Sequence, residues 1–134
     1  MRERASARNL PVAIEISHGM MPVFAALMPG ATLDNLAWTV RKRAVAHRFH
    51  RSSLAMRLEA EAGPFDFNER FRLSTSDYVA SGGGVPLMLR NGTLIGAVAV
   101  SGLPDVEDHK LVVEALRACI DGVTKAPVKV KSTT

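Results

Sequence analysis

Alternation of apolar and polar positions marks the first part of the chain, where residues 10–16 and 22–28 each predict a β-strand. Within the first run, branched side chains recur at every second position, at Val12, Ile14 and Ile16. This is the period of a strand with one buried face. His18-Gly19 predicts a turn between the runs, and Pro22 must stand at a strand start or edge because it has no N–H to donate. The pattern predicts a β-hairpin.

A helical period follows the Pro29-Gly30 break, with Thr32 or Asp34 as the predicted cap. Its apolar stripe comprises Leu36, Val40, Ala44 and Val45, with Trp38 as a wide flank, and the cations Arg41, Lys42 and Arg43 fall mostly off it. We expect this helix to run through Phe49. The apolar spacing also allows it to continue past Ser52-Ser53 as far as Gly63-Pro64.

The second half predicts a short helical turn at residues 68–73, a brief helix at residues 78–80, and a second hairpin. Its strands are residues 85–89 and 94–100, joined at Asn91-Gly92, a strong hairpin signal. The second strand has few polar side chains, so we expect both its faces to be covered. A final helix begins near Pro104. Its predicted apolar face is Val112, Val113, Leu116 and Ile120, and Gly122 is its predicted end.

This order of elements contains no β-α-β repeat, so it predicts an α+β domain with an antiparallel or mixed sheet and helices packed on it. We expect one domain over residues 1–122 and a basic tail over residues 123–134. No stretch approaches the ~20 apolar residues of a membrane span, and the charged start is not a secretory signal. A cytoplasmic location is the default expectation.

Charge and the single cysteine narrow the picture slightly. The net charge is +4, and Arg41, Lys42, Arg43, Arg48 and Arg51 crowd one segment. We interpret them as a solvated helix face rather than a nucleic-acid footprint, because no aromatic stacking platform accompanies them. Cys119 lies in a helical apolar pattern and predicts a small buried side chain, with a reactive thiol as the alternative.

Four groups of residues could carry chemistry. Lys42, Arg43 and Arg51 could together hold an anion, which is the strongest of the four. Ser52 and Ser53 follow His50, but serines at a helix end more often bind backbone groups than attack a substrate. His47 and His50 have a metal-compatible spacing but no further ligand. The run at residues 82–84 allows close backbone approach, to a ligand, to another subunit or within a tight bend.

The order and spacing of these segments resemble the haem-degrading-domain superfamily, the GlcG/HbpS-like proteins. The resemblance covers nearly all of residues 10–120 and is most specific over residues 101–116, which run Ser-Gly-Leu-Pro and then Asp108-His109 into the last helix. Its other carriers are Leu10 to Ile14, Pro29 to Thr32, Asp34-Asn35, Trp38, Arg41 to Arg43, Phe49, Ser52-Ser53, Asp77-Tyr78, Ala80, Gly82-Gly83, Pro86, Ile95-Gly96 and Val98 to Val100.

The resemblance implies a profilin-like αβ sandwich and a homo-oligomer. It implies haem as a candidate cofactor, although no haem ligand can be transferred; we expect no metal-binding residues and assign no catalytic residue. It also implies that a further N-terminal helical segment precedes residue 10 in related proteins. The positions that match its pattern and serve as candidate ligand-binding residues are Trp38, Lys42, Arg43, Ser52, Ser53, Gly82, Gly83 and His109.

Three functions follow as hypotheses. The first is a protein that binds a small anionic molecule or haem, with haem degradation as a further possibility. The second is a non-enzymatic oligomeric scaffold or partner-binding module, suggested by the lack of a complete catalytic set. The third, nucleic-acid binding, rests on charge alone and is disfavoured.

Overall fold

The computed structural model describes the backbone of residues 1–125 and the side chains of residues 1–122. Five helices and four strands follow one another in this part of the chain. They are α1 (Arg2–Ala7), β1 (Ala13–His18), β2 (Met21–Leu27), α2 (Leu33–Phe49), α3 (Ser53–Ala62), α4 (Phe67–Phe71), β3 (Gly84–Met88), β4 (Leu94–Ser101) and α5 (Asp105–Lys125). No helix in the described part is long and apolar enough to cross a membrane.

The strands form one antiparallel sheet in the order β2-β1-β4-β3, which confirms the predicted α+β class and both hairpins. Ala13 pairs with Leu27 in the first hairpin, and Gly84 pairs with Ala99 in the second. β1 and β4 join the two hairpins, with Glu15 opposite Ala99. The sheet therefore buries its two central strands and leaves β2 and β3 as edges.

The two faces of the sheet have different chemistry. On one face the core includes Ile14, Val98 and Val100 of the central strands with Leu111 and Val112 of α5. α2 covers the other face, where β4 presents the small residues Ala97 and Ala99. Because alternate residues of a strand point to opposite faces, Glu15 and Ser17 lie under α2. A separate cluster packs α2 against α3 and α4, with Val45, Met56, Ala60 and Phe67 at its centre.

Capping explains where α2 begins and ends. The Thr32 side chain accepts a hydrogen bond from the Asn35 backbone N–H, and the Asn35 side chain accepts from the Thr32 N–H. This capping box satisfies two donors of the first turn and selects Thr32 over Asp34. The helix ends at Phe49, and the following C-cap residue, His50, is left-handed with φ 55°. Ser52 then caps α3 by accepting from Ala55, so the predicted continuous helix is two helices.

Three further expectations are wrong. Residues 78–80 are not helical, because Ser74 closes a local turn and Val79 N–H donates to the Arg41 carbonyl instead. Gly122 does not end the last helix, which runs to Lys125, since one glycine costs a helix only about 1 kcal/mol. Cys119 is exposed rather than buried, because it lies on the solvent side of α5. Residues 126–134, most of the predicted basic tail, lie outside the described residues.

Candidate functional site

The buried face of α2 includes two charged residues, although the predicted stripe is confirmed at Val45, which is fully buried. Lys42 is 2% exposed and Arg43 is 6% exposed, whereas Val40 of the predicted apolar stripe is 41% exposed. The interpretation of these two cations as a solvated face is therefore wrong. Burial of a charge requires a partner, and each of the two cations has a different carboxylate beneath it.

Lys42 pairs with Asp108 of α5. Lys42 Nζ donates to Asp108 Oδ2 and to the Val100 carbonyl, each at 3.0 Å, and Asp108 Oδ1 accepts from the Leu103 N–H at 3.0 Å. Burial lowers the pKa of Lys42 and raises the pKa of Asp108, while each partner opposes the shift of the other. An ammonium has three N–H donors, so one N–H of Lys42 has no partner among the described residues.

The glycine run packs against this pair. A Cβ on Gly83 would lie 2.3 Å from the Val100 carbonyl and 2.9 Å from Lys42 Nζ, and its φ of +132° also disfavours any other residue. A Cβ on Gly82 would lie 2.4 Å from the Asp105 carbonyl, and the Gly82 N–H donates to the Asp105 carboxylate at 3.0 Å. The close approach that the glycines allow is to this chain's own α2 and α5.

A polar cleft opens beside the pair, with a volume of about 270 Å³. Its lining comprises Asn35, Trp38, Lys42, Ser81, Ser101 and Asp108, together with residues 102, 103 and 105. Trp38 is half-buried, and the Arg41 guanidinium stacks 4.3 Å from its ring centre. Among the sequence candidates, the structure thus brings Trp38 and Lys42 to one cleft, with Gly83 directly behind the ammonium.

The second cation, Arg43, forms a buried ion pair with Glu15 of β1. Next to it, Ser17 Oγ lies 3.3 Å from His47 Nε2, and His47 Nδ1 is buried without a partner among the described residues. Burial, and then the charges of Arg43 and His50, lower the pKa of His47. Glu15 and Ser17 were not predicted from the sequence, although two polar residues two apart in an apolar strand mark a polar stripe on one face.

The remaining candidates lie apart from the polar cleft. Arg51 pairs with Glu59 at 3.1 Å on the surface, so Lys42, Arg43 and Arg51 do not converge on one anion as expected. Ser53 Oγ accepts from the Gly84 N–H at 2.9 Å, and Ser52 caps α3. Both serine hydroxyls thus bind backbone groups. Burial lowers the pKa of His109, which is half-buried on α5.

Haem does not fit the polar cleft, because the cleft is below the ~300–1,000 Å³ of drug-sized ligand pockets and no His, Cys, Met or Tyr lines it. Three wider hollows of 540–660 Å³ occur in the described chain. The one with most aromatic lining contains Phe49, Phe65 and Phe71 with Arg51 and Arg70. Its thioether, Met56, is only 2% exposed, and none of the three has a His, Cys or Tyr to ligate iron.

Comparison with known proteins places the chain in a family. A sequence model described as "Haem degrading protein HbpS-like" matches residues 1–117. A UPF0303 protein of Rhizobium rhizogenes is 49% identical over 118 residues, covering 87% of this chain and 71% of the relative. A UPF0303 protein of Streptomyces avermitilis is 45% identical over 114 residues, covering 85% and 70%.

Solved structures share the fold. The crystal structure of Ybr137w protein has a TM-score of 0.84 at 29% identity, and the alignment covers 92% of this chain and 73% of that one. The PduOC:Heme complex has a TM-score of 0.70 at 22% identity, and the alignment covers 87% of this chain and 83% of the PduOC chain. On the match over residues 1–117 and the close relatives, this chain belongs to the HbpS-like family of haem-degrading proteins.

Proposed function

We propose that the protein binds a small carboxylate or carbonyl compound in the polar cleft. The observation that carries this proposal is the third N–H of the Lys42 ammonium, which has only two partners in the described part of the chain, together with the place of Lys42 in the lining of the cleft. A buried donor without a partner costs free energy. A ligand oxygen in the cleft would remove that cost by accepting the third N–H.

The other groups of the cleft support a ligand with one flat face. Trp38 offers an indole wall, while Ser81 and Ser101 offer hydroxyls that can donate or accept. Asp105 and Asp108 do not oppose an anion strongly. Asp105 is paired with Arg57 at 2.7 Å, and Asp108 is paired with Lys42.

Size restricts the ligand. About 270 Å³ holds roughly nine water molecules at ~30 Å³ each, which suits a small organic acid and not a tetrapyrrole. The proposal therefore separates this chain's cleft from the haem that its family description names. Four of the candidate residues have a structural role in this proposal and do not contact the ligand: Arg43, Ser52, Ser53 and His109.

The single tryptophan of the chain provides the test, because Trp38 lines the cleft. Acetate, lactate and oxalate are titrated while tryptophan fluorescence is followed. We expect a saturable change with at least one acid. The matched control, Lys42→Met with Asp108→Asn, removes both charges at similar volume and should abolish the response. An equal response in the control, or none with any of the acids at millimolar concentration, would contradict the proposal.

Haemin forms a separate arm of that experiment. We expect any shift of the haemin Soret band to be the same in the wild type and in the Lys42→Met, Asp108→Asn variant. A shift that disappears in the variant would place haem at the cleft and contradict the small ligand.

We further propose that the protein acts as a homo-oligomer. The support is the family resemblance together with exposed apolar side chains on β2, where Met21 is 67% and Val23 is 61% exposed. Exposed apolar patches mark interaction sites. Sedimentation velocity should show an oligomer at micromolar concentration, and a strict monomer would contradict this part.

A further inference from the structure

The edge strand β2 is unusually apolar and uncovered. Met21, Val23 and Leu27 are 43–67% exposed, and Phe24 is 37% exposed. We call these four side chains with Ala25 the β2 surface. Residues 19–33 contain no Lys, Arg, Asp or Glu in a chain of net charge +4. Edge strands usually carry charges that prevent pairing with another strand. This one has no charge, and its interruptions are Pro22 and a register shift against β1 at Val23.

The hydrogen-bond pattern of β2 shows which of its backbone N–H and C=O groups point away from β1. The Met28 N–H donates to the Val12 carbonyl at 2.9 Å, just beyond the paired strands. Hydrogen-bonded and non-bonded pairs alternate along an antiparallel ladder, so Ala26 and Phe24 direct their N–H and C=O groups toward β1. Ala25 and Leu27 direct theirs away from the sheet.

We propose that a second copy of this chain pairs its β2 antiparallel with this β2, about a twofold axis at Ala25. Ala25 would then lie opposite the partner's Ala25 and exchange two hydrogen bonds with it. Phe24 would lie opposite the partner's Ala26, and the regular ladder would end at Val23, where β2 shifts register against β1. This register joins two four-stranded sheets into one and gives an isologous interface, in which the same patch serves both copies. The inference rests on the proposed homo-oligomer and specifies how its subunits meet.

The chemistry of the surface favours a second copy over another partner. A charge-free patch on a cationic chain escapes the self-repulsion that like charges impose. The patch extends to the adjacent Met20, which is 68% exposed. A twofold-related copy would cover the same apolar side chains on both chains at once.

The opposite edge suits pairing less well. β3 has five residues against seven in β2, and Pro86 stands at its centre. Val85, Pro86 and Leu87 are half-buried. A proline in the middle of an edge removes one donor from any added ladder, so β2 is the edge through which two copies meet.

Cysteine cross-linking tests the register. Ala25→Cys is made with Cys119→Ser, because Cys119 is exposed. Opposed hydrogen-bonded residues have Cα atoms about 5.5 Å apart, a distance that a disulfide spans. We expect mild oxidation to give a covalent dimer at least tenfold faster than in the matched control, Ala26→Cys with Cys119→Ser. Ala26 lies opposite the partner's Phe24 in this register and points to the other face.

Sedimentation separates the possible failures. Ala25→Pro removes an N–H that no strand of the same copy uses, so we expect a smaller assembly with a native far-UV circular dichroism spectrum, and a melting temperature lowered by the loss of the assembly. Equal cross-linking of both cysteine variants, or an unchanged assembly in Ala25→Pro, would overturn the register. If the wild type remains oligomeric in that case, the homo-oligomer stands. A monomeric wild type would overturn both.

Discussion

Lys42 Nζ lies 3.0 Å from Asp108 Oδ2, and each side chain is only 2% exposed. The pair joins α2 to the first turns of α5 across the Val100 carbonyl of β4. It therefore holds both walls of the polar cleft. The same ammonium supplies the unpaired N–H on which the proposed ligand binding depends.

Removal of one member of this pair should destabilise the fold strongly. Lys42→Met leaves the Asp108 carboxylate buried without its cation, and loss of one partner of a buried pair costs about 3–5 kcal/mol. Asp108→Asn in the Lys42→Met background should restore most of the free energy of unfolding, because no buried charge remains. Urea denaturation of the wild type, of Lys42→Met, of Asp108→Asn and of the double variant measures both effects. Additive losses in the double variant would contradict the pairing.

The fold should lose stability as pH falls through the ordinary histidine range. Burial lowers the pKa values of His47 and His109 below the usual 6.5. As pH falls through 6.5, the unfolded chain gains protons that the folded chain does not take up, so the free energy of unfolding decreases. The stability is fully present above 6.5 and is lost toward the lower folded-state pKa values.

A double variant isolates this effect. His47→Gln with His109→Gln should show a flatter dependence of urea stability between pH 7.5 and about 5, the span around the histidine pKa. The wild type, measured over the same range, supplies the reference slope. Parallel slopes in the wild type and the double variant would show that the two buried histidines do not cause the pH dependence.

Gly83→Ala should be far more damaging than Gly92→Ala. Both positions have positive φ, +132° and +91°, but a Cβ at Gly92 meets nothing within 4 Å. We expect about 1 kcal/mol of backbone strain at Gly92. At Gly83 the clash with the Val100 carbonyl and Lys42 Nζ adds several-fold more. Thermal melting compares the variants, and equal losses would show that Gly83 serves only its backbone conformation.

The strands and hairpins could be predicted because their signals are local. Alternation at Val12, Ile14 and Ile16, and the turn pair Asn91-Gly92, depend on neighbours in sequence. The same holds for the helix start near Pro104. Boundaries differ from the prediction by at most one residue for β2, β3 and β4, whereas β1 begins three residues later and ends two residues later than predicted.

The buried face of α2 could not be predicted in this way. The spacing of hydrophobic residues predicts that Leu36 and Val40 lie on the buried face of the helix and that Lys42 lies on its solvent face. The residue that makes burial of Lys42 possible, Asp108, stands 66 positions away. Trp38, Lys42 and Gly83 were predicted because they match a family pattern. The cleft that Trp38 and Lys42 line could not be predicted, because it depends on contacts between residues far apart in sequence. Glu15, the partner of Arg43, was missed for the same reason.

The most direct test of the account observes the Lys42 ammonium itself. A buried, hydrogen-bonded NH₃⁺ exchanges slowly enough for side-chain ¹H–¹⁵N correlation spectra, and Asp108→Asn identifies its signal. Addition of the acid that changes Trp38 fluorescence should shift this signal saturably, with the same midpoint as the fluorescence. The other lysine signals should stay unchanged. An unchanged Lys42 signal at saturating acid would contradict the claim that its free N–H binds the ligand.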